Sequence, residues 1–161
     1  MKNFPHQINQ LPRLNAALGV MDRMLSENRN LNDDGILGDA LALAGVYTFR
    51  HAGTDSVQRL LILEHGKAAS NQGTRTCARE LRRTFVLLGF LEPDREDPTQ
   101  QRITPIARAL LTFTTAGAEA EASDIWRQAM WALSLTDSSG TSHPYRILLR
   151  LVTACGRLPK Y

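Results

Sequence analysis

The sequence has few cysteines and no long apolar stretch, and each absence excludes a class of protein. Its two cysteines, Cys77 and Cys155, are too few for a disulfide framework or for a four-ligand zinc site. No apolar run approaches the roughly 18 residues that a membrane span needs, and the N-terminus lacks the apolar core of a secretory signal. These absences predict a reduced, cytoplasmic protein without a membrane partner.

Sequence motifs of common catalytic sites are also missing. Nucleases of the PD-(D/E)XK type place an acid two residues before a lysine, but His65 stands there before Lys67, and Leu158 before Lys160. The chain has no glycine-rich phosphate loop and no GxSxG motif. Its histidines do not have the HxxxH spacing of metal sites, and its cysteines do not form a CxxC pair. We therefore expect no catalytic residue, metal ligand or cofactor in this chain.

The positive charge of the chain comes mainly from arginine. Lysine and arginine number 19, against 16 aspartates and glutamates, which gives a net charge of +3. Only Lys2, Lys67 and Lys160 are lysines. The planar guanidinium of arginine binds phosphates and guanine edges with paired hydrogen bonds, so the placement of these side chains matters more than the net charge. At 161 residues, of which 43% are hydrophobic, the chain can bury a core without cross-links.

Apolar residues recur every three or four positions along most of the chain, which predicts a mainly helical fold. We predict helices over residues 8–27, 35–49, about 56–66, 74–88, about 105–115, 118–133 and from 144 onward. The expected N-terminal caps are Asp33 or Asp34 for the second helix, Thr54 or Asp55 for the third and Thr104 for the fifth.

Short segments between the helices predict turns and one hairpin. Residues 67–73 are small and polar, as in a turn with a short helical piece. Residues 90–92 and 101–103 are expected to form two strands around the turn at 93–98. Gly89 is expected to end the helix before them, and residues 138–141 are expected to be a loop.

The helix predicted over residues 74–88 separates a basic side from an apolar side. At 100° per residue, its basic side chains fall within roughly 100° of one another: Arg75, Arg79, Arg82 and Arg83. Its apolar side chains lie on a different face: Ala78, Leu81, Phe85 and Leu88. One face therefore belongs to the core, and the other is suited to an anionic partner.

The order helix, polar turn, helix, two-stranded ribbon and helix over residues 55–116 is typical of a winged helix. In such proteins the second helix enters the DNA major groove with its N-terminal half. Arginine reads guanine, asparagine and glutamine read adenine, and serine or threonine bonds bases or phosphates. We therefore predict sequence-specific recognition of double-stranded DNA by a set of basic and polar residues: Lys67, Ser70, Asn71, Gln72, Thr74, Arg75, Thr76, Arg79, Arg82, Arg83, Arg95 and Arg102.

The predicted fold class is a winged helix-turn-helix embedded in a helical bundle. Residues 1–54 are expected to form an N-terminal helical segment that packs on the core. Residues 117–161 are expected to form a C-terminal helical segment that begins a connection to a missing catalytic domain. Trp126, Trp131 and Tyr145 give this segment an apolar face, which we expect to pack against residues 8–49.

Several short motifs occur in the order found in one known family. They are Thr74-Arg75 at a helix start, Gly89-Phe90 at its end, Arg102-Ile103-Thr104 before the next helix, Trp131, His143-Pro144-Tyr145 and Gly156-Arg157-Leu158-Pro159-Lys160. Over about residues 10–161 the chain resembles the recognition region of type IIS restriction and nicking endonucleases of the AlwI type. The resemblance implies a bacterial restriction–modification enzyme whose nuclease domain, with its Mg²⁺, lies in a missing C-terminal part of the parent chain.

Two other functions fit the same residues. A stand-alone winged-helix transcriptional regulator would also bind DNA, and its apolar helices over residues 118–154 could serve a dimer interface or an effector pocket. A protein-interaction winged helix would instead set its arginines against an acidic partner. Salt-dependent binding to random duplexes separates the two DNA-binding hypotheses from the third. The length of the parent reading frame separates the first two.

Overall fold

A computed structural model of the chain describes residues 10–49, 53–137, 140–147 and 150. The described chain is mainly helical, as the apolar periodicity predicts, and it also contains two short antiparallel hairpins. Its helices are α1 (Leu11–Ser26), α2 (Asp34–Leu43), α3 (Val57–His65), α4 (Gly73–Leu87), α5 (Pro105–Thr115) and α6 (Glu119–Ala132), with a 3-10 turn at Ala69–Asn71. Its strands are β1 (Leu91–Pro93), β2 (Gln101–Ile103), β3 (Leu135–Asp137) and β4 (Gly140–Ser142). Residues 144–147 are helical too.

Side-chain caps determine where several helices begin. The Asp33 carboxylate accepts hydrogen bonds from the N–H groups of Gly35 and Ile36, at 2.9 and 3.1 Å, so it caps α2. Thr104 caps α5, as predicted. The predicted caps of α3 are wrong, because Ser56 occupies the capping position. Asp55 instead pairs with Arg59 of α3, at 3.3 Å.

The second helix ends well before the predicted residue 49. Gly45 adopts a left-handed backbone conformation, with φ of 71°, and the N–H of Val46 donates to the carbonyl of Leu41 at 2.9 Å. This is the glycine-terminated helix end that satisfies otherwise unpaired carbonyls. It turns Val46 into the core and leaves Ala44 exposed, although the helical spacing of Leu37, Leu41 and Ala44 predicts that Ala44 faces inward.

A left-handed glycine also ends α4, at the predicted position. Gly89 has φ of 71°, and the Phe90 N–H donates to the Phe85 carbonyl at 2.8 Å. The predicted hairpin follows directly, with Leu91 opposite Ile103 and Glu92 opposite Arg102.

The expected loop at residues 138–141 is wrong in part, because Gly140 and Thr141 belong to a second hairpin. Thr136 pairs with Thr141, and their hydroxyls are 3.0 Å apart. Threonine is branched at Cβ and favours strands, which explains the pairing on either side of residues 138–139. Those two residues lie outside the described part of the chain, as do Leu148, Leu149, Val152 and the closing motif at residues 156–160.

The core connects the N-terminal helices to α4, α5, α6 and the first hairpin. Phe85 and Phe90 are fully buried, and the Trp126 ring packs edge-on against Phe90 with their centroids 4.9 Å apart. The Trp126 indole N–H donates to Asn15 Oδ1 at 2.8 Å. Helix α6 therefore contacts α1 directly, through a buried aromatic ring whose polar atom has a partner.

The spacing of Ile106, Ala109, Leu110 and Phe113 predicts the inward face of α5, and most of that face is confirmed. Leu110 is buried and Ala109 and Phe113 pack against the core, but Ile106 is exposed and Ala107 is buried instead. The capping residue Thr104 is itself buried and accepts the Ala107 N–H at 3.4 Å, so the first turn of α5 starts within the core and brings Ala107 inward. Among the helices of the described residues, none is both long and apolar enough to cross a membrane.

Candidate nucleic-acid interface

A buried carboxylate joins the end of α3 to the start of α4. Glu64 lies in the last turn of α3 and is 3% exposed. Its Oε1 accepts hydrogen bonds from the backbone N–H groups of Gly73 and Thr74, the first two residues of α4, and the Thr74 bond is 3.4 Å long. Its Oε2 accepts one from Lys67 Nζ at 2.5 Å. Because the first N–H groups of a helix have no partner within it, Glu64 caps α4 from the preceding helix.

The charge on Glu64 is stabilised by these contacts. Burial raises the pKa of this carboxyl, but hydrogen bonds from Lys67 and from the N–H groups of Gly73 and Thr74 outweigh it, so the pKa lies below the usual value for glutamate. The same contact raises the pKa of Lys67. The ionised form of Glu64 is therefore the one that holds α3 and α4 together.

The predicted site residues between α3 and α4 fall into two groups. Lys67, Ser70 and Asn71 are exposed in the turn. Gln72 is buried, and its Nε2 donates to the Lys67 carbonyl at 3.0 Å. Thr74 is also buried, where α2 and α4 cross. In this conformation Gln72 stabilises the turn and Thr74 is covered by α2, whereas Lys67, Ser70 and Asn71 are exposed to a partner.

The arginines of α4 do not share one environment. Arg79 Nε donates to Asp34 Oδ2 at 2.9 Å, and Arg82 Nη2 lies 3.0 Å from Asp34 Oδ1. Arg82 Nη1 also donates to the Leu31 carbonyl at 3.2 Å and to Asn32 Oδ1. The Arg82 side chain is 15% exposed and the Arg79 side chain 40%. Arg82 therefore links α4 to the loop before α2, whereas Arg79 is only partly covered.

The other two arginines of α4 also differ from each other in exposure and partners. Arg75 is half-buried with its guanidinium against Gly35, and its buried Nε has no hydrogen-bond partner within the described chain. Arg83 is half exposed and pairs at 3.4 Å with Glu80 of the same helix. Thr76, Arg79 and Arg83 follow one another at helical spacing, so they form the basic and polar stripe of α4 that reaches solvent.

The β1–β2 hairpin carries more negative than positive charge. Arg102 pairs across the strands with Glu92, at 2.7 Å. Arg95 lies in the turn between the strands and is exposed. Around it stand three acids, Asp94, Glu96 and Asp97.

Two of these acids are fixed by the turn itself. Asp94 Oδ1 accepts the N–H groups of Glu96 and Asp97, and Asp97 Oδ1 accepts the N–H and hydroxyl of Thr99. These hydrogen bonds lower the pKa of both carboxyls, so the hairpin tip keeps its negative charge into more acidic solution than free aspartates would. The Asn32 side chain also donates to the Thr99 carbonyl, which ties the hairpin to the loop before α2.

Two residues that organise this surface were not among the predicted site residues. Glu64 stands among the apolar residues of α3, and an acid at an apolar position is a sequence signal that could have identified it. Asp34 was expected only as a possible cap of α2. Its pairing with two arginines of α4 joins residues far apart in sequence, and no local pattern indicates it.

Within the described ranges, no three histidine, cysteine or acidic side chains are placed to hold a metal ion together.

A scan against protein-family models, a search of curated proteins and a search of solved structures each find no match to this chain. The resemblance to AlwI-type endonucleases therefore stays a prediction from sequence motifs.

Proposed function

We propose that this protein binds double-stranded DNA, with α3 and α4 as a helix-turn-helix, α4 as the recognition helix and β1–β2 as the wing of a winged helix. One observation carries the proposal: the exposed stripe of α4 and the turn before it present side chains that suit DNA. They are Lys67, Ser70, Asn71, Thr76, Arg79 and Arg83. Residues of these types at the start of a recognition helix contact phosphates and base edges.

The Glu64 contact supports this assignment. A recognition helix must be held at a fixed angle to the helix before it, because its side chains have to meet the major groove in one register. Glu64 bonds the first two N–H groups of α4 from the last turn of α3. The polar turn between the helices is thereby fixed while Ser70 and Asn71 stay exposed.

We assign the wing a smaller part in binding. DNA phosphates repel its acids, and Arg102 is already paired with Glu92. Arg95 is the exposed cation of the wing. The main contacts in this proposal therefore come from the α3–α4 turn and from α4.

The test compares two matched variants in duplex binding at several salt concentrations. Arg83 pairs with Glu80 on α4, and Arg127 pairs with Asp124 on α6 in the same i, i+3 geometry. Both Arg83→Ala and Arg127→Ala remove one exposed positive charge. If α4 contacts phosphate, Arg83→Ala should weaken binding and reduce the salt slope by about 1, whereas Arg127→Ala should change little. Equal effects of the two variants, or wild-type binding that does not depend on salt, would refute the proposal.

A protein-interaction function is the second candidate, and two apolar side chains favour it. Ile62 and Leu63 of α3 are 72% and 57% exposed, and exposed aliphatic residues of this size are suited to a protein partner. Asp34 also neutralises part of the arginine charge on α4. A folded protein that shows no duplex binding at low salt would favour this candidate over DNA recognition.

The resemblance to AlwI-type enzymes would make such a unit the sequence-reading part of a restriction endonuclease. A parent reading frame that encodes a D…(D/E)xK nuclease motif after Tyr161 would support that assignment. A parent without a nuclease would favour the transcriptional regulator.

A further inference from the structure

The Arg79 guanidinium is held on one side only. Its Nε donates to Asp34 Oδ2 at 2.9 Å, and its side chain is 40% exposed. Within the described part of the chain, its terminal groups Nη1 and Nη2 donate to no acceptor. A guanidinium has five N–H donors in a planar fork, so four of them remain available for a partner.

Asp34 is itself held in place. It is the first residue of α2, directly after the Asp33 cap, and its side chain is 17% exposed. Its second oxygen, Oδ1, lies 3.0 Å from Arg82 Nη2. Arg82 is anchored in turn by the Leu31 carbonyl and the Asn32 side chain. The Asp34 carboxylate is therefore a fixed acceptor that restricts the rotamers of Arg79 before any partner arrives.

A fixed arginine of this kind suits a base better than a phosphate. The Nη1 and Nη2 groups together match the O6 and N7 acceptors of guanine in the major groove. Adenine carries an N6 donor where guanine carries O6, so the same fork meets one acceptor and one donor. Because Asp34 has already ordered the side chain, less conformational freedom is lost on binding. A flexible cation would serve a phosphate equally well and would give no such selectivity.

We propose that Asp34 orients Arg79 to read a guanine in the DNA major groove, while Arg82 serves the fold. This inference rests on the proposed DNA binding and assigns one specificity-determining residue and one positioning residue to it. Arg83 differs from Arg79 because its counter-ion, Glu80, lies on the same exposed helix at 3.4 Å. In this scheme Arg83 contacts phosphate and carries no base preference.

The experiment selects bound duplexes from a random library with the wild type, Arg79→Lys, Asp34→Asn and Arg83→Lys. The affinity for the best duplex is then compared with that for its single guanine-to-adenine variants. A bidentate arginine–guanine contact predicts a preference of about 5- to 150-fold at one position. Arg79→Lys keeps the charge but lacks the fork, so that preference should disappear. Arg83→Lys should retain it in full.

Asp34→Asn tests the positioning role. Asparagine keeps the size of aspartate and loses the charge that holds Arg79, so duplex binding should persist with a smaller guanine preference. An equal rise in affinity for every duplex would mean that Asp34 only competes with phosphate, and would overturn the inference. If a thermal melt shows that Asp34→Asn does not fold, the guanine preference of Arg79→Lys decides the inference. Arg79→Lys should still fold, because it keeps the ion pair between Asp34 and Arg82.

The outcomes separate the two levels of the proposal. Wild-type binding that depends on salt but shows no guanine preference, or a preference that survives Arg79→Lys, would refute this inference and leave DNA binding intact. A wild-type protein that binds no duplex would refute the proposed function and this inference with it.

Discussion

Helices α2 and α4 come close together at Gly38. A Cβ atom added there would lie 2.8 Å from both the carbonyl carbon and the carbonyl oxygen of Thr74, and 3.1 Å from its Cβ. The obstacle is the backbone of the first turn of α4, which Glu64 holds by two hydrogen bonds. A backbone cannot rotate away as a flexible side chain can, so Gly38→Ala requires one helix to move.

Two opposing effects set the size of the change in stability. Overpacking a well-packed core costs about 1–3 kcal/mol. Alanine in place of glycine within a helix contributes about 0.5–1 kcal/mol in the other direction. We expect Gly38→Ala to lower the free energy of unfolding by about 1–2 kcal/mol. For a domain of this size that corresponds to a fall in Tm of roughly 2–8 °C.

Gly19 in α1 provides a matched control. A Cβ atom added there would lie 3.8 Å from Leu111 Cδ2, which is an ordinary contact. Gly19→Ala should therefore gain about 0.5–1 kcal/mol from helix propensity alone. Both variants can be compared with the wild type by urea unfolding followed by circular dichroism. If Gly38→Ala is as stable as Gly19→Ala, the close approach of α2 and α4 does not limit the side chain at this position.

Three further results should follow from buried polar and sulfur groups. Glu64→Gln should lower stability at pH 7 by about 1–2 kcal/mol, since charged hydrogen bonds are stronger than neutral ones. Because the fold lowers the pKa of Glu64, its contribution to stability is complete above about pH 4.3, where the unfolded carboxyl ionises, and is lost as pH falls through the lower folded pKa. Urea unfolding at several pH values should therefore show the stability difference between wild type and variant shrinking as pH falls through that window. A difference that stays constant with pH would argue against this role. Asn15→Leu leaves the buried N–H of Trp126 without its acceptor and should cost about 1–3 kcal/mol in urea unfolding; unchanged stability would mean that water replaces it. Burial raises the pKa of the Cys77 thiol to about 12, so in a Cys155→Ser variant iodoacetamide at pH 8 should label it only after unfolding, and rapid labelling of the folded protein would contradict this.

Local signals were enough to predict the elements around α4. Gly89 ends that helix because its left-handed conformation is readily available to glycine. Thr104 followed by proline starts α5 for two reasons. The Thr104 hydroxyl accepts a backbone N–H of the first turn, and proline has no backbone N–H that would need a partner at the first helical position. Each of these features depends on residues within a few positions of one another, so the sequence contains the information directly.

The environment of the arginines could not be predicted in the same way. A helical wheel gives the angle of each side chain around α4 and shows no neighbouring helix. The four arginines span roughly 100° around α4, with Arg82 at one edge and Arg83 at the other. The start of α2 and the loop before it cover the Arg82 edge, whereas Arg83 is half exposed. The partner that covers Arg82, Asp34, precedes it by 48 positions in the printed sequence. Only the packing of α2 on α4 brings the two together.

Counting the cations therefore overstates the charge that is available to DNA. Of the basic residues predicted to bind, Lys67, Arg83 and Arg95 are exposed, and the others, Arg75, Arg79, Arg82 and Arg102, are partly buried. If all of them neutralised phosphates, the logarithm of the binding constant would fall with the logarithm of salt concentration at a slope of roughly −6. The three exposed cations alone predict a slope of roughly −3, because each released counterion contributes about −0.9.

Fluorescence anisotropy with one duplex at several salt concentrations measures this slope. A value near −3 would mean that the carboxylates of Asp34 and Glu92 keep their arginines when DNA binds. A value near −6 would mean that all four partly buried arginines neutralise phosphates as well. Arg82 and Arg102 would then exchange those carboxylates for phosphates, with a rearrangement between α2 and α4. The first result is expected, because Arg82 is also held by the Leu31 carbonyl and the Asn32 side chain, and these contacts would be lost in the exchange.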